Sequence, residues 1–121
     1  MMFQNERHEQ QYHALLTKMK KHDSYHKSVA YLMALGELVP NDVFDFEKDV
    51  IKPEGLYEGW QTGSSRKATR LMFNLWNGFT QDEDESGDWK TSRYYAVDEI
   101  FSNHEFAPFF YEAIRIRFEW I

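Results

Sequence analysis

The sequence predicts an all-α fold, a compact single-domain bundle of five to six helices with the last helix, about 106–118, central. Apolar residues recur at helical spacing in most segments, and strand-like alternation is weak. Glycine and proline residues separate the periodic segments. The 121 residues suit one domain, 1–121, and show neither an internal repeat nor a linker.

The first two helices are predicted from apolar stripes and from the residues at their ends. The first stripe consists of Tyr12, Leu15, Leu16 and Met19, and the second of Tyr25, Val29, Leu32 and Met33. Asn5 is the expected N-cap of the first helix, because its side chain can accept a hydrogen bond from a free helical N–H. Ser24 is the expected cap of the second helix, and Gly36 its end.

The third and fourth helices are bounded by prolines, serines and glycines. The third is expected from about Asp42 to Ile51, and Pro53 stops it because proline cannot continue a helix. A glycine-bearing ordered loop follows. Ser64 or Ser65 is expected to cap the fourth helix, which ends at Gly78.

The C-terminal part is expected to contain an acidic surface loop, 80–90, and two helices. A short helix lies between Ser92 and Phe101, and the last helix follows Asn103 or His104. The last helix is apolar around most of its circumference, and a helix of this kind is usually buried by its neighbours. For this reason we expect it to be the central helix.

Arg117 interrupts the apolar arc of the last helix. A buried guanidinium must be paired, because it cannot lose its proton. The sequence predicts a structural buried ion pair of Arg117 with Glu47, which lies in the apolar arc of the third helix, and Glu58 is the second choice. The alternative is that Arg117 extends to solvent at a frayed C-terminus.

Composition excludes several classes of function. The chain has no cysteine, so disulfides and thiolate chemistry are excluded. The net charge of −6 argues against direct binding to nucleic acid, which requires a basic face. No apolar stretch approaches the roughly 20 residues of a membrane span, so we expect a soluble, cytoplasmic protein without a membrane partner.

A loop-to-helix junction carries the main candidate ligand site. Hydroxyl groups, free N–H groups at a helix start and two arginines can together hold a small phosphorylated or anionic ligand. The site residues predicted for junction 60–70 are Trp60, Gln61, Thr62, Ser64, Arg66 and Arg70. It is not a phosphate loop, because no lysine follows Gly63. The alternative is a capped core helix with solvated arginines.

A second candidate surface would contact a protein partner. It comprises Phe73 and Asn77, on the arginine side of the fourth helix, with Asp82, Asp84 and Asp88 of the acidic loop. The loop partly matches a calcium-binding loop, but Arg93 replaces the required bidentate glutamate. A solvated loop is the default, and weak cation binding or docking of a basic partner are the alternatives.

No pattern identifies a catalytic or metal site. His8 and His13 stand five residues apart and diverge around a helix, and His22 and His26 lack a third ligand. We therefore predict no metal and no cofactor, with His8 as a hydrogen-bonded residue at the edge of the core. Catalytic residues are not assigned, and whether the protein is an enzyme stays open, with the balance against it.

Two stretches carry a resemblance to a known family. These are "DFEKDVIKPEGLYEGWQTGSSRKATRLMFNLWNG" and "FYEAIRIRFEW". They resemble a family of small bacterial and phage-associated proteins of low-GC Gram-positive bacteria, with the pattern F-x-x-x-x-I-K-P-x-x-L-x-x-G-W-Q-[ST] and A-I-R-I-R-F. The family has no assigned activity, so the resemblance implies a compact domain without a mechanism. It also draws attention to a group of polar and aromatic residues as the lining of one site: Lys52, Trp60, Gln61, Arg66, Arg70, Arg115 and Arg117.

Three functions remain open at this point. The favoured one is a non-enzymatic protein-interaction or regulatory module with an unknown protein partner, associated with phage or mobile elements. The alternative is a binder of a small anionic ligand at junction 60–70. The third is a structural subunit, because the many aromatic residues leave material for a homodimer interface.

Overall fold

The computed structural model describes residues 1–102 and 105–119, and within them it contains six α-helices. The helices are α1 (Glu6–Lys18), α2 (Ser24–Leu35), α3 (Pro40–Val43), α4 (Gly63–Asn77), α5 (Val97–Phe101) and α6 (Ala107–Phe118). Short 3₁₀ turns span Pro53–Tyr57 and Arg93–Tyr95. None of the helices in this part of the chain is both long and apolar enough to cross a membrane.

The prediction of a purely all-α fold is wrong, because the described residues also form two antiparallel two-stranded sheets. The strands are β1 (Phe44–Asp45), β2 (Val50–Ile51), β3 (Gln81–Glu83) and β4 (Trp89–Thr91). β1 pairs with β2, and β3 pairs with β4. The predicted acidic loop 80–90 therefore contains a hairpin.

Turn chemistry explains why the predicted third helix is only one turn long. The Asp45 carboxylate accepts a hydrogen bond from the Lys48 N–H at 2.8 Å, which favours a turn over a continuing helix. Asp49 adopts a left-handed conformation with φ 60°. The chain therefore reverses between β1 and β2, and the segment predicted as one helix becomes α3 followed by a hairpin.

Helix α2, rather than the last helix, occupies the centre. It packs against α1, α4 and α6, and five consecutive residues from Val29 to Met33 are at most 1% exposed. Helix α6 buries Phe110, Ala113 and Ile116 but leaves Tyr111 60% exposed. The prediction of a central α6 is thus wrong. Helix α2 has the longer uninterrupted run of apolar residues, and its neighbours therefore cover it on several sides.

Helix ends follow the capping residues in part. Asn5 caps α1 by accepting from the His8 N–H at 2.8 Å, and Gly36 and Gly78 end their helices, as predicted. The cap of α2 is Asp23 instead of Ser24. The two candidates Asn103 and His104 for the start of the last helix lie outside the described residues.

A close approach at Gly55 positions the loop before α4. A Cβ atom at this position would lie 1.9 Å from the Asp42 carbonyl oxygen, so only glycine fits. The Trp60 Nε1–H donates to the Asp42 carboxylate at 2.7 Å, and the Gln61 amide donates to the Gly55 carbonyl at 3.1 Å. These contacts hold the loop that precedes α4 against α3.

The N-terminal segment is attached to the core through His8, which is 2% exposed. Its Nδ1 accepts from the Gln4 N–H at 3.1 Å, so its Nε2 carries the proton and donates to the Tyr31 carbonyl at 2.9 Å. Burial lowers the pKa of His8, and the bond to Tyr31 acts in the opposite direction. The predicted hydrogen-bonded position at the core edge is confirmed.

Replacing Gly55 with alanine should destabilise the protein by about 2 kcal/mol or more, because the new Cβ would overlap a backbone oxygen that cannot move independently. Urea unfolding at neutral pH measures this loss. Gly59→Ala is the matched control: its Cβ meets nothing within 4 Å, so we expect a change within about 0.5 kcal/mol. Equal losses for both variants would contradict the close approach.

His8 should make the protein less stable as the pH falls. Because burial lowers its pKa in the folded state, the unfolded chain binds the proton first below about pH 6.5, and the stabilisation present above that pH is lost. Urea unfolding between pH 7.5 and 5.5 should show a smaller pH slope for His8→Gln, the difference being at most about 1.4 kcal/mol per pH unit. The same slope in both proteins would refute this role.

Candidate functional site

Two clefts flank the start of α4. The tryptophan cleft, of about 430 Å³, is lined by Gln4, Leu35, Gly36, Glu37, Trp60, Thr62, Ser64, Ser65 and Phe106. The basic cleft, of about 370 Å³, is lined by Gly63, Arg66, Lys67, Arg70, Tyr94 and Glu99. The structure therefore divides the predicted ligand residues between two faces of the junction.

The tryptophan cleft receives Trp60, Thr62 and Ser64, but the described residues of its lining include no cationic side chain. Glu37 lies on its wall, and its carboxylate is 3.2 Å from the exposed Arg7 guanidinium. Trp60 is bonded to a further carboxylate, that of Asp42. With a carboxylate and no cationic side chain among the described residues of its lining, the tryptophan cleft is a poor site for an anion.

The polar residues at the start of α4 act first as helix caps. Thr62 and Ser65 form a reciprocal cap: the Ser65 N–H donates to the Thr62 hydroxyl, and the Thr62 N–H donates to the Ser65 hydroxyl. The Gln61 side chain is held by Gly55, Ser65 and Thr69. Neither Ser64 nor Ser65 is the N-cap, and any anion site here depends on the basic side chains.

Main-chain carbonyls orient Arg66 and Lys67. The Arg66 Nε–H donates to the Leu56 carbonyl at 3.3 Å, and the Lys67 ammonium donates to the Ser102 carbonyl at 2.8 Å. Neither side chain belongs to a salt bridge within the part of the chain that the structure describes. A carbonyl fixes a cation without cancelling its charge, so both groups keep their attraction for an anion.

Arg70, in contrast, is already paired. Its guanidinium lies 3.3 Å from the Asp82 carboxylate, and it stacks 5.1 Å from the centre of the Tyr94 ring. Both ionic side chains are mostly buried, with 14% and 16% exposed. Burial and the charge of Asp82 raise the pKa of Tyr95, which keeps this neighbouring phenol neutral.

The acidic residues predicted as a partner surface are partly used within the hairpin. Asp82 faces Arg70, and Asp84 lies 2.9 Å from the Lys90 ammonium. Asp84 also accepts from the Ser86 and Asp88 N–H groups, and the bond from Lys90 lowers its pKa most. Asp88 is exposed. Within the described residues no cluster of acidic or histidine side chains can hold a metal ion.

Phe73 is not a surface residue. It is fully buried and packs edge-on against Phe79, with ring centres 5.8 Å apart. The buried face of α4 is wider than its helical pattern indicates, because three consecutive residues, Leu71 to Phe73, are covered. Asn77 is exposed, as predicted, but its side chain accepts from the Phe79 N–H at 3.2 Å.

Arg117 has a partner other than the predicted carboxylate. Its Nε–H donates to the Leu75 carbonyl at 2.8 Å, and its guanidinium stacks 3.6 Å from the centre of the Tyr25 ring. Glu47 is exposed in the turn between β1 and β2, where its carbonyl accepts from the Lys20 ammonium. The predicted buried pair is wrong, because the third helix that would have placed Glu47 inside does not form.

Two buried side chains, His26 and Glu112, contact charged partners that were not predicted from the sequence. His26 is 3% exposed, with its ring nitrogens 2.6 Å from the Asp23 carboxylate and 2.7 Å from the Asp49 carboxylate. Glu112 is 5% exposed and accepts from Arg115 and from the Met2 N–H, and Arg115 is the main cause of its lowered pKa. Each group has one local signal, a partner three residues away: Asp23 before His26 and Arg115 after Glu112.

A double-mutant cycle can distinguish the two partners of Arg117. We expect a coupling energy of about 0.5–2 kcal/mol between Arg117→Gln and Tyr25→Leu, because stacking of a cation on an aromatic ring is lost. The cycle of Arg117→Gln with Glu47→Gln should show coupling below about 0.5 kcal/mol, as for residues without contact. Urea unfolding measures both coupling energies. A larger coupling of Arg117 with Glu47 than with Tyr25 would support the ion pair instead.

Comparison with known proteins shows the family but no related structure. Residues 1–120 match a family described as a family of unknown function, DUF6075. No curated protein and no solved structure matches significantly. The match spans almost the whole chain, including the first third and the acidic hairpin. The chain therefore belongs to the DUF6075 family.

Proposed function

We propose that this protein is a non-enzymatic protein-interaction module that binds an anionic group of its partner in the basic cleft. The observation that carries the proposal is that Arg66 and Lys67 are held by main-chain carbonyls and not by salt bridges in the described part of the chain. Carbonyl groups orient both cations, and neither cation forms a salt bridge in the described structure, although Glu99 also lines the cleft. They stand on a chain whose net charge is −6, so this positive site is local.

Apolar surface beside the cleft supports a protein partner. Tyr94, which lines the cleft, is 44% exposed. Val97 is 74% exposed and begins α5, the helix that supplies Glu99 to the cleft. Arginine and tyrosine are enriched at protein interfaces, where they combine apolar contact with hydrogen bonding. A partner can therefore bury the rim while its anionic group enters the cleft.

Net charge restricts which anions can bind. The acidic surface repels an extended polyanion such as a nucleic-acid backbone, while the cleft attracts a single anionic group. Binding should weaken as salt is added, because exposed charges are screened over about 8 Å at physiological ionic strength. The cleft thus selects a local acidic feature of a partner.

A small phosphorylated molecule is the second candidate. The cleft volume of about 370 Å³ falls at the lower end of the range typical of small-molecule sites, and this observation favours the candidate. Cytoplasmic location and association with phage or mobile elements also belong to the proposal. Both rest on the composition and the sequence resemblance given above.

Inorganic phosphate and sulfate provide the direct test of the basic cleft. At low ionic strength, calorimetric titration should show binding that Arg66→Gln/Lys67→Gln weakens about tenfold or more, because a hydrogen bond to a charged group contributes about 1.5–3 kcal/mol. Lys18→Gln/Lys21→Gln, which removes the same charge from the end of α1, is the control. If both double variants weakened anion binding equally, the effect would come from net charge alone and would contradict a specific site.

A further inference from the structure

The acidic hairpin shows how the surface of α4 binds an acidic side chain. Asp82 lies on the extended strand β3, and its carboxylate meets the Arg70 guanidinium through Nε and Nη2, each at 3.3 Å. The Tyr57 hydroxyl lies 3.4 Å from the same carboxylate. An extended segment therefore already presents a carboxylate to one arginine of α4.

The spacing of the arginines matches the spacing of side chains on a strand. Arg66 and Arg70 are four residues apart in α4, so they lie on the same side and about 6 Å apart along the axis. Alternate residues of an extended chain point to the same face and are separated by about 6.6 Å. A strand with acidic side chains at alternate positions can address two such arginines.

Of two alternate aspartates in the hairpin, only Asp82 contacts an arginine of α4 in the described structure. Asp84 is two residues after Asp82, but its carboxylate is bound to Lys90 and to the turn of the hairpin. Arg66 and Lys67 therefore lack the carboxylate that Arg70 has in the described structure. Within the hairpin, the contact between Asp82 and Arg70 therefore leaves the charges of Arg66 and Lys67 available to another carboxylate.

We infer that the basic cleft binds an acidic side chain from an extended segment of a partner protein, placing its carboxylate between Arg66 and Lys67. This inference rests on the proposed function and specifies the chemistry of the partner. The rest of the segment contacts the exposed Tyr94 and Val97. An aspartate or glutamate of that segment is the recognised feature.

The local charge complements a single carboxylate. The cations Arg66, Lys67 and Arg70 face two carboxylates, Glu99 in the cleft and Asp82 beside it. One net positive charge remains, which a carboxylate neutralises.

A peptide of extended character tests the partner class. The probe is the blocked peptide TVEVEVT, in which valine favours strand conformation, and TVQVQVT is its neutral counterpart. Calorimetric titration at low ionic strength should show binding of the acidic peptide and about tenfold weaker binding of the neutral one, since one charge-assisted bond is lost. Arg66→Gln/Lys67→Gln should weaken the acidic peptide at least as much, and Lys18→Gln/Lys21→Gln should leave it nearly unchanged.

Glu99→Gln provides a test that does not depend on lost binding. Removing this carboxylate raises the positive charge of the cleft, so the acidic peptide should bind several-fold more tightly, while TVQVQVT should not change. Unchanged or weaker binding of TVEVEVT to Glu99→Gln would overturn the inference. Tighter binding of both peptides would assign the gain to contacts other than the charge and would also overturn it.

Titration with inorganic phosphate separates the two proposals. Binding of phosphate that depends on Arg66 and Lys67, together with no binding of TVEVEVT, would overturn the acidic segment and leave the anion site standing. No binding of either probe would overturn both proposals. Peptide binding that Arg66→Gln/Lys67→Gln leaves unchanged would place the contact elsewhere and overturn the inference.

Discussion

Burial of α2 between α1, α4 and α6 is the constraint on which the rest of the structure depends. Its centre is apolar without interruption, so three helices must cover it to remove that surface from water. The polar groups of Tyr31 show how completely this happens: its carbonyl accepts from His8, and its hydroxyl donates to the Met2 carbonyl. The N-terminal segment thus helps to cover the core, and packing holds α4 in one position relative to α2.

The same packing positions the basic cleft. Helix α4 places Ala68 and Met72 in the core and leaves Arg66, Lys67 and Arg70 on its outer side. The loop before α4 is fixed at Gly55, and its Leu56 carbonyl orients Arg66. The end of α5 supplies the carbonyl that orients Lys67. Fold stability and the proposed anion binding therefore rely on one helix, but on opposite sides of it.

Local patterns in the sequence predict what local interactions determine. The N-cap at Asn5 and the helix ends at Gly36 and Gly78 follow from side-chain and backbone chemistry within a few residues. The segment 42–51 fails because its apolar spacing also suits a hairpin, and the Asp45 turn decides between them. The partners of Arg117 and Arg70, the Leu75 carbonyl and the Asp82 carboxylate, are set by packing between elements. Spacing within one helix does not encode such partners, although it does identify Arg66 and Arg70 as neighbours.

Chemical-shift mapping by NMR is the most direct measurement of the central claim, that Arg66 and Lys67 form an anion site. On addition of inorganic phosphate at low ionic strength, the account predicts shifts of the side-chain signals of Arg66, Lys67 and Tyr94. Signals of the exposed lysines at the end of α1, Lys18, Lys20 and Lys21, should remain in place. Shifts confined to those lysines, or equal shifts at both places, would contradict a specific site at the basic cleft.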